Sequence, residues 1–276
     1  MFRTVCTNAL PEESVRSESE ELMRRQRTRI KLLLFDAHGT IFMPKNRTWQ
    51  KLVAHVVYEE TGYQLDAGLL NRRTKEIRAK YAAESPHLEN TVPWWSEVNR
   101  RVLARFGHAI SLEMGRCIHL RIVEALDLYT VQPARRKFVE RLVRTFSGPG
   151  VIRAIATNAP DAAIDLLLSK HELRGAVQRI YGSTTLGGVL KPSREFFEAI
   201  LRRQNVRPEE VLLVANSLQN DVPATRLGIH VCAILRRDEP FTPNDLRGAA
   251  PGTLVHLTHS LANAWRWIDR NFVPTA

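Results

Sequence analysis

Asp36 is the residue of this sequence whose type and position are best suited to chemistry. It follows the apolar run Leu32 to Phe35 and precedes a tight turn that contains Gly39. An uninterrupted apolar run indicates a strand covered on both faces, as in a parallel sheet, and ligands bind beyond the carboxyl ends of such strands. A carboxylate there can attack an electrophile and form a covalent intermediate. Asp36 is therefore a candidate nucleophile.

Three later segments carry polar side chains at comparable positions. They are Thr157 and Asn158 after the run Ile152 to Ala156, Lys191 before Pro192 at a helix start, and Asn216, Ser217, Asn220 and Asp221 after the run Val211 to Ala215. The carboxyl ends of parallel strands lie at one edge of a sheet, so these side chains can gather around Asp36.

This combination of residue types suits phosphoryl transfer. The hydroxyl of Thr157 and the backbone N–H groups of the following helix start can hold phosphate oxygens. Lys191 supplies a positive charge for the phosphate or for the nucleophile. Carboxylates near Asp221 can hold Mg²⁺, which prefers oxygen ligands. Each residue also has a purely structural interpretation, because Asp is common in turns, and Thr157 and Asp221 stand where helix caps occur.

Alternating strands and helices after Pro133 predict an α/β fold, with a doubly wound parallel sheet and right-handed crossovers. Between the first strand and this region, apolar residues recur at helical spacing, which predicts helices at 49–61, 66–83, 94–106 and 112–126. We therefore expect an N-terminal extension at 1–29, a Rossmann-like core domain at 30–47 and 128–276, and an inserted helical cap at 48–127.

The ordered set of segments resembles the motifs of the haloacid dehalogenase-like hydrolase superfamily. The motif Asp-x-Asp-x-Thr corresponds to Asp36-Ala37-His38-Gly39-Thr40, the strand-ending Ser or Thr to Thr157, the Lys-Pro pair to Lys191-Pro192, and Gly-Asp-Ser-x-x-Asn-Asp to residues 215–221. The resemblance covers about residues 30–235, and the helical segment looks like the family's inserted cap. Within that segment, Trp94-Trp95 resembles the branch named haloacid dehalogenase-like domain-containing protein 3.

The resemblance implies a Mg²⁺-dependent phosphatase that acts on a small phosphorylated molecule through an aspartyl-phosphate intermediate. The catalytic residues that it implies are Asp36, His38, Thr157 and Lys191. The implied substrate-binding residues are Thr40, Thr157, Asn158 and Lys191, and the implied metal ligands are Asp36, the His38 carbonyl, Asn216 and Asp221.

Two positions depart from the family pattern. His38 stands where the family usually has the Asp that protonates the leaving group, and Asn216 stands where a metal-binding Asp is usual. Two alternatives therefore stay open. One is a catalytically impaired member of the fold that binds a ligand or a protein. The other is a metal-free 2-haloacid dehalogenase, whose first motif the run Asp36-Ala37-His38-Gly39-Thr40 resembles.

The composition restricts the cellular compartment and the classes of binding partner that we expect. The three cysteines are scattered, which indicates neither a disulfide framework nor a zinc site and suits a reducing compartment such as the cytoplasm. No apolar stretch is long enough for a membrane helix, so no membrane partner is expected. The net charge of +11 comes from local arginine runs without interleaved aromatics, which favours solvated helix faces over nucleic-acid binding.

Overall fold

The computed structural model of this chain describes residues 27–45, 49–84, 92–124 and 128–275. Strands lie at β1 (Thr28–Ile30), β2 (Leu32–Phe35), β3 (Met43–Pro44), β4 (Tyr129–Thr130), β5 (Ile152–Ala156), β6 (Arg179–Tyr181), β7 (Val211–Ala215), β8 (His230–Ile234), β9 (Val255–Thr258) and β10 (Phe272–Pro274). Helices lie at α1 (Trp49–Thr61), α2 (Ala67–Glu84), α3 (Val92–Ala104), α4 (Leu112–Glu124), α5 (Pro133–Thr145), α6 (Asp161–Lys170), α7 (Arg194–Gln204) and α8 (Leu261–Asn271).

A parallel sheet of six strands organises the molecule, in the order β6-β5-β2-β7-β8-β9. The predicted α/β class with a parallel sheet is confirmed. Leu32 and Leu34 of β2 belong to one apolar cluster, and Leu33 and Phe35 belong to another. Alternate residues of a strand point to opposite faces, so each face of the sheet has its own core. This is why the run at β2 is apolar at every position.

The register of the sheet brings the polar segments to one edge. Phe35 pairs with Ile155 of β5 and with Val214 of β7. Asp36, one residue later, therefore lies beside the ends of both neighbouring strands, which continue into the segments of Thr157 and Asn216. The crevice outside those strand ends is where open α/β sheets bind ligands.

Helices α1 to α4 lie between β3 and β4, which pair antiparallel where the chain leaves the sheet domain and returns to it. Trp94 is fully buried among them, and the ring of Trp95 meets it edge-on with centroids 5.0 Å apart. The guanidinium of Arg78 lies over Trp95, 4.8 Å from the ring centroid. The tryptophan pair thus forms part of the packing between these helices, as its apolar surface favours.

Several local predictions differ from the structure. The sequence pattern predicts one strand over residues 30–35, whereas the structure has two, because β1 pairs with β10 in a separate small sheet and only β2 joins the main one. The pattern also predicts a short helix over residues 221–227, and the structure has a 3₁₀ helix at Val222–Leu227. The sequence pattern does not predict β9, whose His256 is half-buried and stacks on Trp267, with ring centroids 5.2 Å apart.

The predicted N-terminal extension at 1–29 falls largely outside the described residues, since the description begins at residue 27. The domain boundaries stay a prediction. Among the described helices, none combines the length and the apolar content that a membrane crossing requires.

Candidate active site

Asp36 lies at the end of β2 and is fixed by both its backbone and its side chain. Its N–H donates to the carbonyl of Val214 at 2.9 Å, which extends the β2–β7 pairing by one residue. Its Oδ1 accepts from Nζ of Lys191 at 2.6 Å, and its Oδ2 accepts from the hydroxyl of Thr40 at 3.1 Å. The residue is only 6% exposed. A carboxylate held this firmly at a crevice is pre-oriented for attack.

Lys191 places one positive charge between two carboxylates. Its Nζ lies 2.6 Å from Oδ1 of Asp36 and 2.6 Å from Oδ1 of Asp221, and all three side chains are buried. Burial by itself lowers the pKa of the Lys191 ammonium, but the two carboxylates outweigh burial and raise that pKa above its ordinary value. Lys191 is therefore a permanent cation at this site.

Asp221 is the more deeply buried of the two carboxylates that share Lys191. The pKa of Asp221 is raised to about 6, because burial and repulsion from Asp36 raise it by more than Lys191 lowers it. Its Oδ2 accepts from the backbone N–H of Ser217 at 3.2 Å, which ties it to the loop after β7. Burial is the main cause of this shift, and the single ammonium of Lys191, which Asp221 shares with Asp36, offsets it only in part.

Asn158 holds the backbone of Lys191 from the neighbouring segment. Its Nδ2 donates to the Lys191 carbonyl at 3.1 Å, and its Oδ1 accepts from the Lys191 N–H at 2.7 Å. Both ends of the amide are thus bound to one peptide backbone. The sequence placed Asn158 among the substrate-binding residues, whereas the structure places it where it positions the lysine.

Thr157 is buried beside Asn158 at the end of β5. Its hydroxyl oxygen accepts from the N–H of Ala159 at 3.2 Å, so it caps the turn that leads to α6. Its own N–H donates to the carbonyl of Tyr181 at 2.9 Å as part of the sheet. The hydroxyl proton can still be donated to a substrate, so the capping role and the predicted binding role are compatible.

His38 lies beside the aromatic ring of Tyr129, with centroids 4.5 Å apart. The pKa of His38 is lowered from 6.5 to about 4, because burial and, to a smaller extent, Lys191 lower it by more than the Asp36 carboxylate raises it. The imidazole is therefore neutral near pH 7. A general acid must carry its proton at the working pH, so this environment does not prepare His38 for the acid role that the family pattern implies.

Arg135 is a site residue that the sequence analysis missed. It is half-buried at the start of α5, and its Nη1 donates to the carbonyl of Thr40 at 2.6 Å. Burial lowers the pKa of Arg135, and attraction to Asp36 raises it in part. The sequence shows Arg135 only as part of a basic run with Arg136 and Lys137, and nothing in that run distinguishes a residue that faces the site.

Asn216 lies against the first motif. With its nitrogen toward Asp36, the amide donates to Asp36 Oδ2 at 2.8 Å, to the His38 carbonyl at 3.2 Å and to the Thr40 hydroxyl at 3.1 Å. This orientation satisfies the amide, because the opposite one would point an oxygen at a cluster of acceptors.

The donor set does not fit Mg²⁺ in this arrangement. The decisive contact is that of the Asn216 amide, whose nitrogen, when it faces Asp36, lies against Asp36 Oδ2 and the His38 carbonyl, where a cation would need oxygen ligands. Each carboxylate oxygen of Asp36 and Asp221 also accepts one hydrogen bond from the protein. Magnesium needs oxygens about 2.0 to 2.1 Å away in an octahedral arrangement. Among the described residues, no cluster of three or more His, Cys, Asp or Glu side chains could hold a metal ion. No chemical step is therefore assigned to the metal.

Comparison with known proteins agrees with the fold. The family model of haloacid dehalogenase-like hydrolases matches residues 30–227. The chain is similar to the magnesium-bound putative HAD-hydrolase YfnB of Bacillus subtilis, with 17% identity, coverage of 87% of this chain and 99% of that chain, and a TM-score of 0.66. A comparison with curated protein sequences gave no match.

Two further solved structures carry different activities in their names. The L-2-haloacid dehalogenase of Xanthobacter autotrophicus shows 17% identity, coverage of 87% of this chain and 98% of its own, and a TM-score of 0.59. A predicted phosphoglycolate phosphatase of Haemophilus somnus shows 15% identity, coverage of 86% and 97%, and a TM-score of 0.60. At such identities the likeness shows the fold alone, and the branch indicated by Trp94-Trp95 stays a prediction.

The two hydrogen bonds between the Asn158 amide and the Lys191 backbone predict an effect on stability. Asn158→Ala removes both amide contacts and leaves the N–H and carbonyl of Lys191 without these partners, so we expect a loss of about 1 to 3 kcal/mol in the free energy of unfolding. Urea denaturation followed by circular dichroism measures it. Asn263→Ala, at an exposed helix position, is the matched control and should change stability by about 0.5 kcal/mol or less. Equal losses of unfolding free energy in the two variants would show that the Asn158 contacts do not stabilise the fold.

The environment of His38 predicts a pH effect on stability. The folded-state pKa of about 4 lies below the ordinary 6.5, so the unfolded chain takes up the proton first as the pH falls. The stability present above pH 6.5 is therefore lost as the pH falls toward 4. His38→Phe keeps a ring beside Tyr129 and cannot titrate. Between pH 7 and pH 5 the free energy of unfolding of the wild type should fall by on the order of 1 kcal/mol more than that of the variant. Parallel curves of this free energy against pH would show that His38 does not contribute to the pH dependence.

Proposed function

This chain belongs to the haloacid dehalogenase-like hydrolase family, and from that premise we propose that it hydrolyses a small anionic substrate through a covalent ester of Asp36. A small phosphomonoester is the first candidate substrate. The observation that carries the proposal is the shared Lys191 ammonium, 2.6 Å from both Asp36 and Asp221 at the carboxyl edge of the sheet.

In the proposed first step, a carboxylate oxygen of Asp36 attacks phosphorus. The bond between phosphorus and the leaving oxygen breaks, and its electron pair departs with the alcohol or phenol oxygen. Water then attacks the aspartyl phosphate, which releases phosphate and regenerates the carboxylate. Lys191 keeps Asp36 in place during both steps and opposes the accumulation of negative charge.

Several neighbours support binding of an anion. The half-buried guanidinium of Arg135 is attracted to Asp36 and lies against the first motif. The hydroxyl of Thr157 can donate to a phosphate oxygen from the adjacent strand end. We assign Thr40 to holding Asp36, and Asn158 to holding Lys191, rather than to the substrate.

A 2-haloacid is the second candidate substrate, and one observation favours it. The Asn216 amide donates to Asp36 Oδ2 and the His38 carbonyl, two oxygens that the family pattern implies as metal ligands. Displacement of a halide from carbon by a carboxylate needs neither a divalent cation nor a protonated leaving group, because the halide departs as an anion. The two substrate classes share the Asp36 nucleophile and differ in the released product.

The nucleophile is tested by Asp36→Asn. We expect this variant to lose at least about a thousandfold in turnover, because the amide oxygen is a poor nucleophile in the same position. Release of phosphate from p-nitrophenyl phosphate and of chloride from 2-chloropropionate measures the two candidate reactions.

Asp269→Asn removes the same charge from an exposed position of α8 and should keep full activity. Undiminished turnover in Asp36→Asn would exclude Asp36 as the nucleophile. A folded wild type that turns over neither substrate class contradicts the hydrolase proposal and favours the binding-protein alternative.

The neutral state of His38 predicts a strong dependence on the leaving group. Since no imidazolium stands ready to protonate an alkoxide, phosphomonoesters of acidic phenols should react about 100-fold or more faster than alkyl phosphates. A plot of log kcat/KM against the pKa of the leaving alcohol measures this. A flat plot would indicate that a general acid acts, which this assignment of His38 excludes.

A further inference from the structure

The Asn216 amide takes up space that the rest of the first motif leaves for it. Gly39 has a φ of +88°, which glycine adopts without strain. A Cβ built on Gly39 would lie 2.1 Å from the nearest terminal atom of the Asn216 amide and 2.9 Å from its Cγ. Any other residue at position 39 would displace the amide, so the turn glycine and the asparagine form a matched pair.

The nitrogen of the Asn216 amide also faces three oxygen atoms of the first motif. Its nitrogen reaches Asp36 Oδ2 at 2.8 Å, the Thr40 hydroxyl at 3.1 Å and the His38 carbonyl at 3.2 Å. A cation bound to Asp36 Oδ2 and the His38 carbonyl would have to displace these N–H groups. Turning the amide over would present its oxygen to the cation, but it would give up the hydrogen bonds to Asp36 Oδ2 and the His38 carbonyl and keep only the contact with Thr40, whose hydroxyl would then donate to the amide oxygen.

The charges around Asp36 already balance. The carboxylates of Asp36 and Asp221 contribute two negative charges, and Lys191 and Arg135 contribute two positive charges. A divalent cation would leave the free site with an excess of two positive charges. An aspartate at position 216 would add a negative charge and an oxygen ligand, so this one position decides whether a cation is accommodated.

We propose that the Asn216 amide, seated on Gly39, takes the place of the divalent cation, so that Asp36 is organised and used without a metal. The amide nitrogen, which carries two hydrogens, lies within 3.2 Å of the Asp36 and His38 oxygens that a cation would otherwise bridge. This inference deepens the proposed function, since it rests on Asp36 as the reactive group, but its binding test needs no turnover.

Calorimetric titration with Mg²⁺ at neutral pH tests the inference on the full chain. The wild type should show no saturable binding up to about 10 mM. Asn216→Asp should bind Mg²⁺ with a dissociation constant at least tenfold lower than any wild-type binding. Gln219→Glu adds the same charge at an exposed position of the same loop and should behave like the wild type.

Two results would overturn the inference. One is submillimolar Mg²⁺ binding to the wild type, which is decisive even if Asn216→Asp does not fold. The other is a folded Asn216→Asp variant whose Mg²⁺ affinity equals that of Gln219→Glu.

An activity measurement separates this inference from the proposed function. If either candidate substrate is turned over, excess EDTA should leave the wild-type rate unchanged, and a loss of tenfold or more would contradict a metal-free site. If neither is turned over, the proposed function fails while the calorimetric result still decides whether Asn216 replaces the cation.

For Asn216→Asp, phosphate release should gain Mg²⁺ dependence, whereas dependence equal to that of the wild type would contradict the role given to position 216.

Discussion

The buried ammonium of Lys191 is the interaction on which the candidate site depends. Removing two carboxylates from water is costly, and their repulsion adds to the cost. Lys191 offsets it by lying 2.6 Å from each, and the Asn158 amide holds the backbone of Lys191 in place through two hydrogen bonds. The loop after β5, the lysine and the loop after β7 thus become one connected unit around the end of β2.

The same unit explains how its members divide their tasks. Asp36 lies at the crevice and is oriented by Thr40, whereas Asp221 lies deeper and is tied to its own loop through Ser217. Burial, which the shared cation offsets only in part, raises the pKa of the deeper carboxylate to about 6, and the permanent positive charge stays on Lys191. The geometry therefore favours Asp36 over Asp221 as the group that meets a substrate.

The two departures from the family pattern are structurally consistent with each other. His38 is turned toward Tyr129 in an environment that keeps it neutral, and its carbonyl accepts from the Asn216 amide. Gly39 between these contacts provides the space that the amide needs. A site with a neutral histidine and an amide in these places holds its carboxylate by hydrogen bonds, with a charge balance supplied by Lys191 and Arg135.

The sequence by itself determined the fold class and most of the residues that meet at the candidate site, although not Arg135. Apolar runs mark the central strands, because a strand buried on both faces must be apolar at every position, and a polar residue directly after such a run must lie at the sheet edge. That logic found Asp36, Thr157 and Asn216. The same logic does not identify half-buried edge strands such as β9, because their mixture of polar and apolar residues is equally compatible with a loop.

Only the tertiary structure decided what each site residue does. Local sequence could not show that Asn158 binds a backbone 33 positions away, that Arg135 reaches the Thr40 carbonyl, or that Asn216 fits against Gly39. These roles depend on distances between segments far apart in the chain, and on burial that shifts protonation. The pairing of the strands and the packing of helices on the sheet set these distances and this burial, and neither can be read from a single segment of the sequence.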